Sequence, residues 1–510
     1  MPVLNDSILA LPSLRFSLNN AWGWLQNYPE RVFFVVAGLY FGLHVISRVL
    51  LTSTLGSDEA EQALWSQTLQ WGYGAQPPLY TWLQYGFMQL FGINVLALAL
   101  LKNALLFTTY TAVFVIAQQL LGDGPRALAA TAGLLFIPQI AWESQRDLSH
   151  SVLVTTLAAL TLLAVIRLLR RPQPASYLLV GLCLGLGILA KYNYVLFAAA
   201  LLLTLVGHAQ TRAILLRPAF LLTISMAGII VLPHGLWVVD HWQATAACLE
   251  KLEQDRVAAR AHGLLSAATN SVLFLLPFLL AAGLWLRPTA GPAHVAWRFP
   301  LRGYLVAVGI TIITTVLLLG AGEFKDRWLQ PLLFVAPVVW LGYVDPKRTD
   351  LRARLPGYFG MAAGLAVIIW LLIPLRVVLG PFSGYPTDLN QPYSALAQAI
   401  KTSGMSPAIL VGYGNRIAGN LRLQFPEARV YAHRQLADTT ITITSPAGPI
   451  LAIWPTAGSQ TAMPRTMHVG LTGALDVPAL AYEQRRLQLP LAYSDGRIAS
   501  QFNLAVISPP

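Results

Sequence analysis

Ser57-Asp58-Glu59-Ala60-Glu61 puts three carboxylates into five residues directly after the first long apolar run. Acids at the end of a membrane span are costly unless they face water or a cavity. The stretch that follows carries Trp65, Trp71, Tyr73, Tyr80 and Trp82, with Pro77-Pro78-Leu79 among them. Together these predict a catalytic loop at a membrane surface. A carboxylate there can orient or deprotonate a hydroxyl as it attacks carbon, and Asp58 and Glu59 are the leading candidates. Glu61, Tyr73 and Gln76 are candidate substrate contacts in the same stretch. The bland alternative is a solvated turn that only marks the end of the span.

Further ionisable residues recur at apolar boundaries. Glu143, Arg146, Asp147 and His150 precede a long apolar run. Asp147 is a second candidate catalytic carboxylate able to meet Asp58 across a cavity, with His150 a substrate contact. Arg146 is a candidate phosphate ligand, or a plain ion-pair partner of Glu143 or Asp147. Lys191 sits between two short apolar segments, where a cation would stabilise a phosphate leaving group or snorkel to the headgroups. Lys325 and Arg327, in Gly322–Trp328, could clamp a lipid phosphate, Arg in two-pronged fashion. Lys251, Arg256 and Arg260 lie on an amphipathic stretch, Ala244–Ala261, that either lids the site or presents a solvated face. Lys102, inside an apolar run, is a further phosphate contact or a snorkelling lysine.

These residues need a membrane scaffold. The 510 residues are 55% hydrophobic and only 11% charged, against about 25% charged in soluble domains. Eleven apolar runs are candidate spans, the third, fifth and sixth short for a full crossing of about 20 residues: Val32–Leu51, Ile93–Leu121, Ala127–Ile140, Ser151–Leu169, Tyr177–Leu189, Tyr192–Val206, Ala219–Val239, Leu264–Leu286, Tyr304–Gly320, Trp328–Tyr343 and Gly357–Leu379. The net charge of +12 is concentrated in alternate loops, at Arg126, Arg167–Arg171, Arg212–Arg217, Arg287–Arg302 and Lys347–Arg354. The positive-inside rule places those loops in the cytoplasm. The acidic loops, Lys191, Lys325 and the C-terminus then share the outer face. No basic stripe interleaved with aromatics exists, which argues against a nucleic-acid partner.

The N-terminal segment 1–31 lacks a signal-peptide pattern and is read as cytoplasmic, with Ile8, Leu11 and Leu14 on a short amphipathic face. Residues 32–379 form the membrane domain. Residues 380–510 predict an outer α/β domain: helical spacing at Tyr393–Ser403 and short strands at Ala408–Tyr413, Arg429–Ala432 and Ile450–Trp454. Gly412-Tyr413-Gly414 with Gly419 reads as a tight strand-to-helix turn rather than a dinucleotide loop. Cys183 and Cys248 are placed too differently to pair. No metal-ligand spacing is present, so no metal or other cofactor is indicated, although a divalent ion is compatible with the acids.

On Asp58-Glu59, Pro77-Pro78-Leu79, Asp147, Lys191 and Lys325–Trp328, the chain resembles GT-C glycosyltransferases of the protein O-mannosyltransferase superfamily. Among bacterial members it is similar to the lipid A aminoarabinose transferases and the rhizobial core-galacturonosyl transferases. The resemblance implies inverting transfer from a polyprenyl-phosphate sugar to a lipid, glycan or protein acceptor at the periplasmic face of the bacterial inner membrane. Asp58 would be the catalytic carboxylate and Asp147 the second. The chain departs from the lipid A enzymes at Glu61, where those often carry Arg, and at Gln76, where they often carry Lys. Lys191, Lys325 and Arg327 are the replacements at hand. The expected protein is thus an α-helical membrane glycosyltransferase with a C-terminal α/β domain. A flippase for lipid-linked sugars and a non-catalytic envelope-assembly protein are the rivals; paired broken helices and internal symmetry, expected of a transporter, are not seen.

Overall fold

The computed structural model describes residues 18–243, 258–289, 295, 299–320, 322–347, 349–437, 441–443, 448–456 and 461–507. Lys251, Arg256, Cys248 and the amphipathic N-terminal face fall outside these residues.

All eleven apolar runs are helical at least in part. Among the described residues, six helices are long and apolar enough to cross a membrane: Pro29–Leu51, Val95–Leu121, Ser149–Arg170, Phe220–Asp240, Arg260–Trp285 and Leu351–Leu379. Pro174–Ala190 and Arg302–Leu318 are shorter, and Tyr194–Gly207 bends by 115° into Ala209–Leu215. Two expected spans are broken. Gly124–Ala132 runs into a 3₁₀ turn and then a π-helical segment at Gln139–Glu143, with Pro138 at the break. Gln330–Leu333 and Ala336–Leu341 are separated in the same way, each with a proline in its first turn. Proline removes a helical N–H and clashes with the preceding turn. The two broken segments pack together, a pair of broken helices not expected from the sequence: a Cβ on Gly133 would come within 2.7 Å of Pro337.

One end of the bundle is basic. There the Arg126 guanidinium is buried and donates to the carbonyls of Leu121 and Val344, and Arg170 donates to that of Gln119. The opposite end carries Asp58, Glu59, Asp147 and the C-terminal domain.

The expected loop after the first span is instead a helix, a turn and a second helix, Ser57–Trp65 and Leu79–Phe91. Ala60, Glu61, Gln62, Ala63 and Leu64 are strong helix formers, and the Glu59 side chain reaches back to the Gly56 N–H at 3.1 Å as an N-terminal cap. The turn between them is closed by paired backbone bonds between Tyr73 and Gln76.

Beyond Leu379 the chain forms a five-stranded sheet. Its strands are β1 (Ile409–Gly412), β2 (Arg429–Ala432), β3 (Ile450–Pro455), β4 (Tyr482–Pro490) and β5 (Ala499–Ile507). Their order is β2-β1-β3-β5-β4, with β2, β1 and β3 parallel and the other two antiparallel. Helix Tyr393–Thr402 and helix Gly414–Gln424 cover it. β4 and β5 lie outside the sequence expectation. β4 is an exposed edge carrying Glu483, Arg485 and Arg486, a charged composition that blunts edges and hides the strand's hydrophobic alternation.

The acid-bearing helix belongs to both parts. Ala60 and Ala63 pack with Met88, Val95 and Leu98 of the bundle, while Leu64 enters the core of the sheet domain with Leu421 and Val430. Gly419 crosses the helix so closely that a methyl group would overlap the Ala60 carbonyl. Two side-chain amides complete the joint. Asn420 accepts from the Leu55 N–H at 2.8 Å and donates to its carbonyl at 3.2 Å. Gln67 bonds both the N–H and the carbonyl of Val430 on the edge strand, at 3.0 and 2.8 Å. Each amide satisfies backbone groups that would otherwise be stranded between domains.

Candidate functional site

Asp58 sits in the first turn of its helix and Asp147 just ahead of the Ser149–Arg170 span. The Asp58 N–H donates to the Asp147 carboxylate at 3.3 Å, and the Asp58 carboxylate accepts from the Ser149 N–H at 2.9 Å. Each acid thus meets a helix N-terminus, where partial positive charge favours anions. Leu148, between Asp147 and Ser149, has φ of 66°, a left-handed conformation that costs a branched residue free energy. It follows the π-helical segment, and both distortions turn Asp147 toward Asp58. Burial and then the Asp58 charge raise the Asp147 carboxyl to about 6, with Lys102 pulling the other way. A carboxylate poised near neutrality suits proton transfer.

Glu59 is differently placed. Burial alone would raise its carboxyl, but Arg48 and Lys102 outweigh that and hold it at about 2. Arg48 grips it with two bonds, at 3.0 and 2.6 Å, and also donates to the Thr52 and Thr54 carbonyls. With both lobes of its carboxylate engaged, Glu59 is a strut rather than a free catalytic acid. Arg48, hidden in the last turn of an apolar helix, escapes the sequence reading; a charge inside a span is the signal that marks it.

His150 is buried in a relay. Thr81 donates to Gln62 at 2.9 Å, and Gln62 meets the His150 Nε2 at 3.1 Å. The His150 Nδ1 faces the Ala190 carbonyl at 3.2 Å, and the ring lies against Tyr80. His150 therefore positions helices rather than presenting a free ring to a substrate. Tyr73 turns inward, while half-buried Glu61 faces the sheet domain. The Tyr73 hydroxyl donates to the Thr68 carbonyl at 2.6 Å and its ring stacks on Trp65. Glu61 accepts from Asn415 of the sheet domain at 3.1 Å. Gln76 remains half-buried in the Tyr73 turn.

Cations expected to hold phosphate lie on two further groups of elements, and of all of them Lys102 acts on the Asp147 carboxylate. Lys191, at the break between Pro174–Ala190 and Tyr194–Gly207, donates to the Ser151 hydroxyl at 2.7 Å. Lys325 and Arg327 lie on a loop anchored where Gln139 donates to Asp326 at 3.3 Å and Asn270 to the Phe324 carbonyl at 2.7 Å. Arg327 is exposed and forms no ion pair among the described residues. A narrow cleft between the Pro29–Leu51 and Leu351–Leu379 helices is lined by Arg48, Lys102, Arg146 and Arg376, with Trp370 and Pro374 beside them. Arg146 is ion-paired to Glu143, which balances the charge expected to bind phosphate. Arg376, not anticipated from sequence, leaves a buried Nε without a hydrogen-bond partner among the described residues. Among the described residues, no three His, Cys, Asp or Glu side chains come together as a metal-ligand set.

Comparison with known proteins fits this geometry. Residues 75–237 match the family described as dolichyl-phosphate-mannose-protein mannosyltransferase. The chain is 33% identical to the lipopolysaccharide core galacturonosyltransferase RgtB of Rhizobium johnstonii, over 94% of this chain and 97% of that protein. It is 31% identical to RgtA of the same organism, over 91% and 94%. Its fold is similar to that of ArnT from Cupriavidus metallidurans, solved in the apo state and bound to undecaprenyl phosphate. The TM-score is 0.58 for each, at 14% identity; 96% of this chain and 98% of that chain are covered in the apo comparison, and 95% and 98% in the bound one.

Proposed function

The chain belongs to the membrane glycosyltransferases of GT-C fold that include these rhizobial lipopolysaccharide core galacturonosyltransferases, and from that premise we propose that it moves a galacturonosyl unit from a polyprenyl-phosphate donor to the core of an envelope lipopolysaccharide. Transfer takes place at the periplasmic face of the bacterial inner membrane, with inversion. The N-terminus is cytoplasmic and the sheet domain periplasmic, a reading supported by the basic residues of the alternate loops.

The observation that carries the chemistry is the Asp58–Asp147 contact. In a single displacement the acceptor oxygen bonds to the anomeric carbon as the bond to the phosphate oxygen breaks. The bonding pair leaves on the phosphate, and the acceptor proton passes to the carboxylate pair. Asp58 orients the hydroxyl and Asp147, with its raised affinity for a proton, shares the load. Lys191, Lys325 and Arg327 receive the donor phosphate, whose charge grows as the bond breaks. The cleft at Arg376 is the alternative seat for that phosphate, favoured by an Nε without a partner among the described residues.

The test is mass spectrometry of lipopolysaccharide from cells with and without the gene. Loss of a hexuronic acid from the core supports the reading; an unchanged core refutes it. Orientation is read in spheroplasts of a cysteine-free variant. Single cysteines at Gly74 and Ser394 should react with an impermeant thiol reagent and one at Lys347 should not; the reverse pattern overturns the topology.

A further inference from the structure

The sheet domain holds a cavity of about 900 Å³, at the upper end of the range for small-molecule sites. Its position follows from the topology. Tyr413, His433 and Thr456 line it, and each is the residue directly after one of the parallel strands β1, β2 and β3. The chain leaves β1 toward β2 on one side and returns to β3 on the other. Ligands of open α/β sheets bind at such a switch point, outside the carboxyl ends of the strands.

The chemistry of the walls narrows the ligand. The Tyr413 ring stacks on His433 with centroids 4.3 Å apart and planes 13° apart. This makes a firm aromatic platform, partly open to solvent. The His433 Nδ1 accepts from the Gly414 N–H at 2.9 Å, which fixes the imidazole as the second layer of the stack. The eleven-residue helix Gly414–Gln424 begins at the wall with no side-chain cap. Arg416 and Arg434 are the charged residues of the lining, and no acid is among them. Asn415, Gln391, Ser500 and Gln501 supply amides and hydroxyls. An aromatic face with polar groups and the Arg434 guanidinium, Arg416 being ion-paired to Asp388, fits a sugar that carries an anion, since guanidinium binds carboxylate or phosphate with two bonds.

The cavity also reaches the catalytic helix. Ser57, next to Asp58, forms part of its wall. The Ser57 hydroxyl donates to Asp388 at 3.2 Å, and Asp388 is ion-paired to Arg416. A glycan seated here would run along this rim to the carboxylate pair.

We infer that the cavity at the carboxyl ends of β1, β2 and β3 binds the anionic oligosaccharide of the acceptor and delivers its hydroxyl to Asp58. The role in delivery rests on the transferase reading; the binding itself does not. The anion is a carboxylate or a phosphate on the sugar chain.

The test uses the full chain in nanodiscs and delipidated lipopolysaccharide core oligosaccharide from the host strain as probe, by titration calorimetry. Three forms are compared: intact, carboxyl-reduced and dephosphorylated. The intact form should bind, and removing the recognised anion should weaken binding at least tenfold, which names the anion. Tyr413→Ala and Arg434→Glu should each weaken binding about tenfold or more and raise the KM for acceptor by a similar factor. Their kcat at saturating acceptor should stay near wild type. Asp58→Asn should bind the probe normally. Equal binding of all three forms, or unchanged binding and KM in both cavity variants, would overturn the inference while leaving the transferase reading intact. Probe binding that depends on Arg434 in a protein that transfers no sugar would do the opposite. Tyr413→Phe, which keeps the platform, should bind like wild type and guards against loss of fold.

Discussion

The Asp58 N–H points at the Asp147 carboxylate across 3.3 Å, so the two candidate acids share one charge environment although 89 residues separate them. Burial and the Asp58 charge raise Asp147 to about 6. A base must be ionised to take a proton. Turnover at saturating substrate should therefore fall as pH drops through about 6, with an apparent pKa that belongs to the pair. In Asp147→Asn the residual activity should lose that inflection. A pH–rate profile that keeps its shape in the variant removes Asp147 from the proton path.

Asp147 also bears on stability. A carboxyl whose folded pKa lies above its ordinary 3.8 favours folding in its protonated form, and that advantage disappears as pH rises through 6. At pH 7.5 the ionised acid is strained, by roughly 1–3 kcal/mol for a shift of this size. Asp147→Asn should melt higher than wild type at pH 7.5, with the gap closing toward pH 4. Thermal unfolding in one detergent at both pH values checks it; a lower melting temperature at pH 7.5 contradicts it.

Glu59 should behave as the opposite case. Its contribution is full above the ordinary carboxyl value of 4.5 and is lost as pH falls toward 2. Glu59→Gln leaves the Arg48 guanidinium half-paired in a nearly buried site, at a cost of about 3–5 kcal/mol. Melting temperature should drop sharply, and whatever protein stays folded should retain donor binding. A variant as stable as wild type but inactive would return Glu59 to the chemistry.

Gly419 has no room for a side chain against the Ala60 carbonyl. Gly419→Ala should push the sheet domain off the acid-bearing helix and expose Leu64. Limited proteolysis should then cut between the membrane bundle and the sheet domain faster than in wild type, and turnover should fall with it. Unchanged proteolysis and turnover would mean the joint tolerates the shift.

Donor binding separates the two cationic groups. Arg327→Ala should weaken binding of polyprenyl phosphate or lower turnover, by roughly 2–4 kcal/mol if the contact tightens in the transition state. Arg327→Lys should restore only part of this, because a point charge cannot reproduce the two-pronged fork. If Arg327→Ala behaves normally and Arg376→Ala does not, the phosphate sits in the cleft between the first and last long helices.

Much of the architecture is legible from composition. Apolar runs reveal the helices, and the charge deficit reveals the membrane. What stays hidden has physical causes. The Ser57–Trp65 helix reads as a loop because its acids draw attention away from the helix formers Ala60–Leu64. The breaks at Pro138 and Pro337 are visible as prolines, but their mutual packing through Gly133 is not. Arg48 and Arg376 sit inside apolar helices, where a single charge is easily counted as part of the span. Gln67 and Asn420 bridge partners 363 and 365 residues away, and no local pattern encodes such pairs. The proximity of Asp58 and Asp147 is hinted at by two acids at span ends. The roles of Glu59, Tyr73 and His150 are not, because each is decided by a partner on another element.

The central claim is that the Asp58 carboxylate works in glycosyl transfer, and it is met most directly by turnover of purified Asp58→Asn in nanodiscs. The assay supplies the proposed substrates, polyprenyl-phosphate galacturonic acid and host lipopolysaccharide, with donor binding measured alongside. Asn keeps the size of the side chain and an oxygen for the Ser149 N–H, so fold and donor affinity should persist. Turnover should drop by a factor of about 10² or more. A folded, donor-binding Asp58→Asn protein that transfers sugar at the wild-type rate would contradict the account.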